Sequence, residues 1–247
     1  REFEEGDIVY GSEGRWKEPV VSMWGAHVSL SVGDAAGYRF VAAEKPRRLE
    51  LETLSFAIVT GVAVRGIRAC NVQPGRKIAI IGAGYIGLCA AARAALLGGE
   101  PVLVEKSEEH VAFATGLGLR AVLNDASLEE KLGSFAPDGF DILYDTAGHA
   151  PTTDALVLHM RRRGLVLLQS QYFNTEKRAI DYDQIKVREL TVRTTCGTDT
   201  QDWIETTDLI QRRLLPIARM ITHRFGVADI LRGHELHTTG RPFNMGI

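Results

Sequence analysis

The stretch that most constrains this chain is "GRKIAIIGAGYIGLCAAARAALLGGEPVLVEK", Gly75 to Lys106. An apolar run, "KIAII", stops at Gly82-Ala83-Gly84-Tyr85-Ile86-Gly87, and an Ala-rich helical pattern follows at once. A second apolar run then ends on an acid, Glu105, 21 residues beyond Gly84. A glycine turn alone is a weak signal. One that follows a buried strand, opens a small-residue helix and precedes a strand ending in a carboxylate is the fingerprint of a dinucleotide site. Gly82 permits the tight turn, Gly84 lets the backbone approach a pyrophosphate, and Gly87 removes a side chain where helix meets sheet. The helix start offers unpaired N–H groups and a positive dipole end to the phosphates. Glu105 accepts hydrogen bonds from ribose hydroxyls and repels a 2′-phosphate, so NAD is expected over NADP. Lys106 and Arg68 are the cations that would soften that preference.

Strand and helix patterns alternate from Lys77 onward. "RAVLN", "FDILYDTAG" and "GLVLLQSQY" read as further strands, "RELTVRTTCG" as a sixth at the edge. "SEEHVAFATGLG" reads as a helix capped by Ser107, and "SLEEKLGSF" and "PTTDALVLHMRRR" as two more. This order predicts an α/β fold, a doubly wound parallel sheet with helices on both faces. Ligands in such sheets lie beyond the carboxyl ends of the strands, which brings in Thr146 and Ala147 after one strand and Gln169 and Gln171 after the next.

The flanks read differently. Before Pro46, "DIVYG" and "YRFVAAE" are strand-like around a turn-rich stretch. "LETLSFAIVTGVAVRGIRACNV" is apolar on helical spacing, with Leu51, Leu54, Ile58, Val62 and Ile67 along one expected stripe. After Gly197 come an amphipathic helix, "TQDWIETTDLIQRRLL", the stretch "MITHRF", a short helical piece and a tail.

Composition removes several classes. A net charge of -2 gives no case for nucleic acid, and Arg161-Arg162-Arg163 reads as a solvated helix end. Cys70, Cys89 and Cys196 have no paired spacing, so neither a disulfide framework nor a zinc cluster is expected, and reduced thiols point to a cytoplasmic setting. No apolar run reaches the ~20 residues of a membrane span; the longest, Tyr85 to Gly98, is interrupted by Arg93. His27 and His149 have no second metal ligand at usable spacing.

The ordered set "EEGDIVYG", "NVQPGRKIAIIGAGYIG", "VLVEKSEE", "FDILYDTAG", "GLVLLQSQ" and "MITHRF" resembles the medium-chain dehydrogenase/reductase superfamily. The resemblance implies a Rossmann domain set into a GroES-like β catalytic domain. Residues 1–55 would be the trailing part of the catalytic domain, 56–195 the nucleotide domain and 196–247 the return. It implies hydride transfer between a nicotinamide and a small alcohol, carbonyl or activated alkene. It places Gly82, Gly84, Tyr85 and Ile86 at the pyrophosphate, Glu105 at the adenosine ribose, and Thr146, Ala147, Gln169, Gln171 and Thr60 around the nicotinamide half. It implies a homodimer through "RELTVRTTC". The place of a metal-ligand acid or cysteine in zinc-dependent members falls at Ile58, so zinc-independent chemistry is expected. The family's front segment would precede Arg1, so the chain reads as a piece of a longer protein or, as the alternative, a truncated member. No acid/base is assigned, Tyr172 and Ser170 being the nearest options. The alternatives are a nucleotide-binding sensor or structural protein on the same fold, or a flavin enzyme.

Overall fold

The computed structural model describes residues 4–5, 7–11, 38–42, 48–172, 181–240 and 243–246. His27 lies outside them. Near the front, β1 (Ile8–Gly11) pairs antiparallel with β2 (Tyr38–Ala42). The main sheet is built from β3 (Lys77–Ile81), β4 (Glu100–Glu105), β5 (Ala121–Leu123), β6 (Phe140–Asp145), β7 (Met160–Leu168) and β8 (Thr191–Thr194). Its order is β5-β4-β3-β6-β7-β8 and every pairing is parallel. The chain winds outward from β3 to one edge, returns to β6, then winds to the other. This is the expected doubly wound sheet, and its reversal between β3 and β6 opens a crevice at their carboxyl ends.

Both faces are covered, which is why the strands read as continuous apolar runs. Ile78 and Ile80 of β3 pack with Ala63, Ile67, Leu88 and Leu103 on one face. Ala79 and Ile81 pack with Val104, Leu132, Leu143 and Leu156 on the other. The connecting helices are α3 (Tyr85–Leu96), α4 (Glu108–Gly116), α5 (Leu128–Phe135), α6 (Ala150–Val157) and α7 (Tyr182–Val187). Ser107 caps α4, its side chain accepting from the His110 N–H.

The apolar stretch ahead of the sheet is two helices, not one. They are α1 (Arg48–Leu54) and α2 (Ala57–Cys70), separated at Ser55-Phe56. The stripe chosen by size is also displaced. Leu51 and Ile58 are exposed, whereas Ala57, Thr60, Gly61, Ala63, Val64, Gly66 and Ile67 are buried. Small residues decide the contact face, because α2 lies close over the sheet: a Cβ at Gly66 would overlap the Tyr144 hydroxyl beneath it.

A second correction concerns Arg161-Arg162-Arg163. They open β7 at an irregularity in its pairing with β6, with Arg163 at φ +63°, rather than ending α6. Each has an acidic partner: Arg161 meets Asp141 at 2.5 Å, and Arg162 and Arg163 meet Glu189. Beyond β8, α8 (Thr200–Gln211) shares a core with α1, α2 and α3 through Leu54, Val64, Ala92, Leu209 and Ile210. Two short helices follow, α9 (Ile217–Met220) and α10 (Ile230–Thr239). Among the described residues no helix is long and apolar enough to cross a membrane.

Candidate functional site

The glycine turn leaves β3 at the sheet's reversal point. Gly82 has φ +95°, a left-handed conformation that strains any side chain, and its N–H donates to the Val104 carbonyl at 2.9 Å. A Cβ at Gly87 would overlap the Gly82 carbonyl oxygen, so the helix seats directly on the turn. Gly84 is different: an added Cβ would meet nothing within 4 Å. The space over it is open, as a site for an approaching ligand requires. The first bond inside α3 runs from the Leu88 N–H to the Gly84 carbonyl at 2.9 Å. The amides of Tyr85, Ile86 and Gly87 therefore have no acceptor in the helix, and the first turn carries no acidic side chain. These residues fit an anionic pyrophosphate.

Glu105 stands beside this turn. Its Oε2 accepts from the Ala83 N–H at 2.8 Å, and its Oε1 accepts from the N–H groups of Lys106 at 2.8 Å and Ser107 at 3.0 Å. The carboxylate is aimed and fixed by backbone alone. Lys106 is exposed and has no ion pair among the described residues. Arg68 is elsewhere: its guanidinium pairs with Asp199 at 2.7 Å and Asp202 at 2.8 Å, at the start of α8. Its charge is engaged there and not by Glu105.

On the other side of the crevice, Thr146 and Ala147 follow β6. The Thr146 hydroxyl donates to the Ile81 carbonyl at 2.7 Å, and both residues border Gly82, where an added Cβ would lie 3.3 Å from Thr146 Oγ1 and 3.1 Å from Ala147 Cβ. The structure thus brings Gly82, Gly84, Ile86, Gly87, Glu105, Thr146 and Ala147 to one rim.

Three expected residues are used differently. Thr60 is fully buried; its hydroxyl donates to the Phe56 carbonyl at 2.8 Å and meets the Tyr85 hydroxyl at 2.9 Å. The Tyr85 ring turns away from the turn and stacks on Phe56 with centroids 5.0 Å apart. Burial, with Cys89 alongside, pushes its phenol well above the usual range. Gln169 is a structural tie: it accepts from the buried Tyr144 hydroxyl and donates to the Val62 carbonyl at 2.9 Å and Thr195 Oγ1 at 2.8 Å. That one amide joins α2, β6 and the strand end beyond β8. Gln171 is exposed.

One residue escaped sequence reasoning. Asp145 ends β6 and is fully buried. Its Oδ1 accepts from the N–H groups of Ala147 at 2.8 Å and Gly148 at 3.0 Å; its Oδ2 accepts from the hydroxyls of Thr153 at 2.7 Å and Tyr172 at 2.5 Å. A buried carboxylate survives without a cation when its lone pairs are filled in this way. The signal for it was only an acid at the end of an apolar strand. Burial and the adjoining carboxylate push the Tyr172 phenol up.

A metal finds no comparable fit. Ile58 is exposed and has no donor atom, and among the described residues no three His, Cys, Asp or Glu side chains are grouped to hold an ion. His149 is bonded to Thr152 Oγ1 at 2.8 Å.

Comparisons with known proteins agree with this fold. A family model described as zinc-binding dehydrogenase matches residues 86–212. An uncharacterized zinc-type alcohol dehydrogenase-like protein of Escherichia coli K12 is 30% identical over 192 residues, covering 75% of this chain and 54% of that protein. The chain spans about half the length of the curated relatives it matches. Among solved structures, the alcohol dehydrogenase of Thermus sp. ATN1 superposes with TM-score 0.79 at 22% identity, over 90% of this chain and 64% of that one. Two further folds of this kind were solved with nicotinamide cofactors. A short chain alcohol dehydrogenase of Escherichia coli CFT073 carries NADH (TM-score 0.72, 15% identity, 84% and 63% covered), and a Sinorhizobium meliloti protein carries NADP (0.67, 22%, 78% and 57%). The chain belongs to the zinc-binding dehydrogenase family, within the medium-chain dehydrogenase/reductase superfamily.

Proposed function

We propose that this protein is an NAD(H)-dependent oxidoreductase that transfers a hydride between nicotinamide and a small alcohol, carbonyl or activated alkene. The observation that carries the reading is Glu105, held by three backbone amides beside an open glycine turn. A fixed carboxylate there accepts from the ribose hydroxyls of NAD and repels the 2′-phosphate of NADP. The cofactor supplies the hydride chemistry. The chain's own part is to bind and orient it: the α3 amides face the pyrophosphate, Glu105 the adenosine ribose, and the Thr146-Ala147 rim the nicotinamide half. Zinc-independent chemistry is part of this reading, supported by Ile58 having no donor atom and by the lack, among the described residues, of three grouped His, Cys, Asp or Glu side chains. The same reading pairs two copies through β8, whose four residues are all exposed.

Fluorescence titration tests the cofactor assignment. NADH is expected to bind about tenfold or more tighter than NADPH, a difference of about 1.4 kcal/mol. A turnover screen over small alcohols, aldehydes and enones, with and without a chelator, tests the rest. Turnover unchanged by the chelator supports zinc-independent chemistry. Binding without any turnover favours the sensor reading, and sedimentation shows whether the chain dimerises.

A further inference from the structure

We infer that the end of the sheet away from the cofactor crevice is a docking surface for an acidic segment of another protein. The inference stands apart from the nicotinamide reading above.

Every pairing in the main sheet is parallel, so its strands start together at the end opposite the glycine turn. Two arginine pairs stand there, each sharing one carboxylate. Arg76, just ahead of β3, and Arg161 of β7 both reach Oδ1 of Asp141, at 2.7 and 2.5 Å, while Oδ2 accepts from the Lys77 N–H at 2.7 Å. Arg162 and Arg163 both meet Glu189. One carboxylate balances one guanidinium, so each cluster keeps a positive charge. Lys77 and Arg120 match Glu100 and Asp138 in charge, and the excess stays with the arginine pairs. It is local, because the whole chain has a formal net charge of -2. Sharing also leaves donors unspent, since a guanidinium has five N–H groups. Asp141 is buried while both of its arginines are nearly half exposed, so donors remain on the solvent side. Arg162 and Arg163 are more open still, with 68% and 78% of their side chains exposed. Held by their own carboxylates, these arginines are partly ordered before a partner arrives, which lowers the entropy cost of binding. Their forks match carboxylates in geometry as well as charge. Nucleic acid is the less favoured polyanion. Phe135, the ring packed at this end, lies under Lys77 at 4.5 Å and Arg120 at 4.3 Å, and so is no open platform for a base.

The probe is a fluorescein-labelled peptide of alternating Glu and Gly, read by anisotropy. It is expected to bind at low salt and to weaken as salt rises. Replacing both open arginines, Arg162→Gln with Arg163→Gln, is expected to weaken the peptide about tenfold. Glu189→Gln removes the countercharge and is expected to tighten it about twofold, a gain that a merely structural ion pair would not produce. Arg212→Gln is the charge-matched control: its arginine pairs with Asp208 on α8, and its loss should leave the peptide unchanged. Melting curves followed by circular dichroism check that each variant folds. If the double variant does not, Arg162→Gln alone and Glu189→Gln decide the matter. No binding of the peptide, an equal loss in Arg212→Gln, or no gain in Glu189→Gln would overturn the surface. Tighter binding of a single-stranded oligonucleotide of equal charge, lost with the same arginines, would overturn the protein segment as its occupant.

Discussion

Two carboxylates flank the crevice, and they are held in opposite ways. Glu105, on the β4 side, is partly exposed and all three of its donors are backbone amides from neighbouring turns. Asp145, on the β6 side, is fully buried, and half of its donors are side chains. Backbone donors leave Glu105 fixed while its outer face stays open to a ligand. Side-chain donors make Asp145 inaccessible and let it organise what surrounds it. A charge at the surface of a site selects; a charge beneath it arranges.

The comparison can be broken from either side. The largest effect is expected where both halves rest on one contact. Gly87→Ala drives a Cβ into the Gly82 carbonyl oxygen, and urea unfolding should show a loss of about 3 kcal/mol with NADH binding abolished. Next is Asp145→Ala, which strands two amides and two hydroxyls. A loss of about 2 kcal/mol is expected, mostly recovered by Asn, and equal costs for Ala and Asn would refute the donor count. Glu105→Ser should cost about 1 kcal/mol of stability, because the amide of the fully buried Ala83 loses its acceptor. It should weaken NADH about tenfold and narrow the gap to NADPH; an unchanged ratio of the two affinities would dismiss the ribose contact. The smallest effect belongs to Arg68→Ala. Its guanidinium serves Asp199 and Asp202, so the NADH/NADPH ratio should not move, and any shift would place a cation near Glu105 after all.

The difference also explains what could be read in advance. The Glu105 side was legible because its partners are close in sequence or fixed by a local motif: a strand, a glycine turn, a helix, a second strand. The sheet order followed from the same alternation. Asp145 was not legible, since Tyr172 reaches it from a different loop and no spacing rule links the two. The internal ties of Thr60 and Gln169 were hidden for a related reason. Each sits near the crevice in sequence order, but a close helix–sheet approach at Gly66 brings Tyr144 up against α2 and recruits Gln169 to bridge them. Residue size misdirected the reading of α2, where the contact face is made by glycine and alanine. Arg161 to Arg163 looked helical only because the strand begins with an irregular, charged turn.

The three glycines of the turn carry unequal burdens, and that has a consequence for descent. Gly82 and Gly87 are locked together by one carbonyl, so neither can drift without dismantling the helix seat. Gly84 faces open space, and a methyl group there would offend no neighbour in the protein. A lineage that ceased to need the dinucleotide would be free to lose Gly84 while still folding.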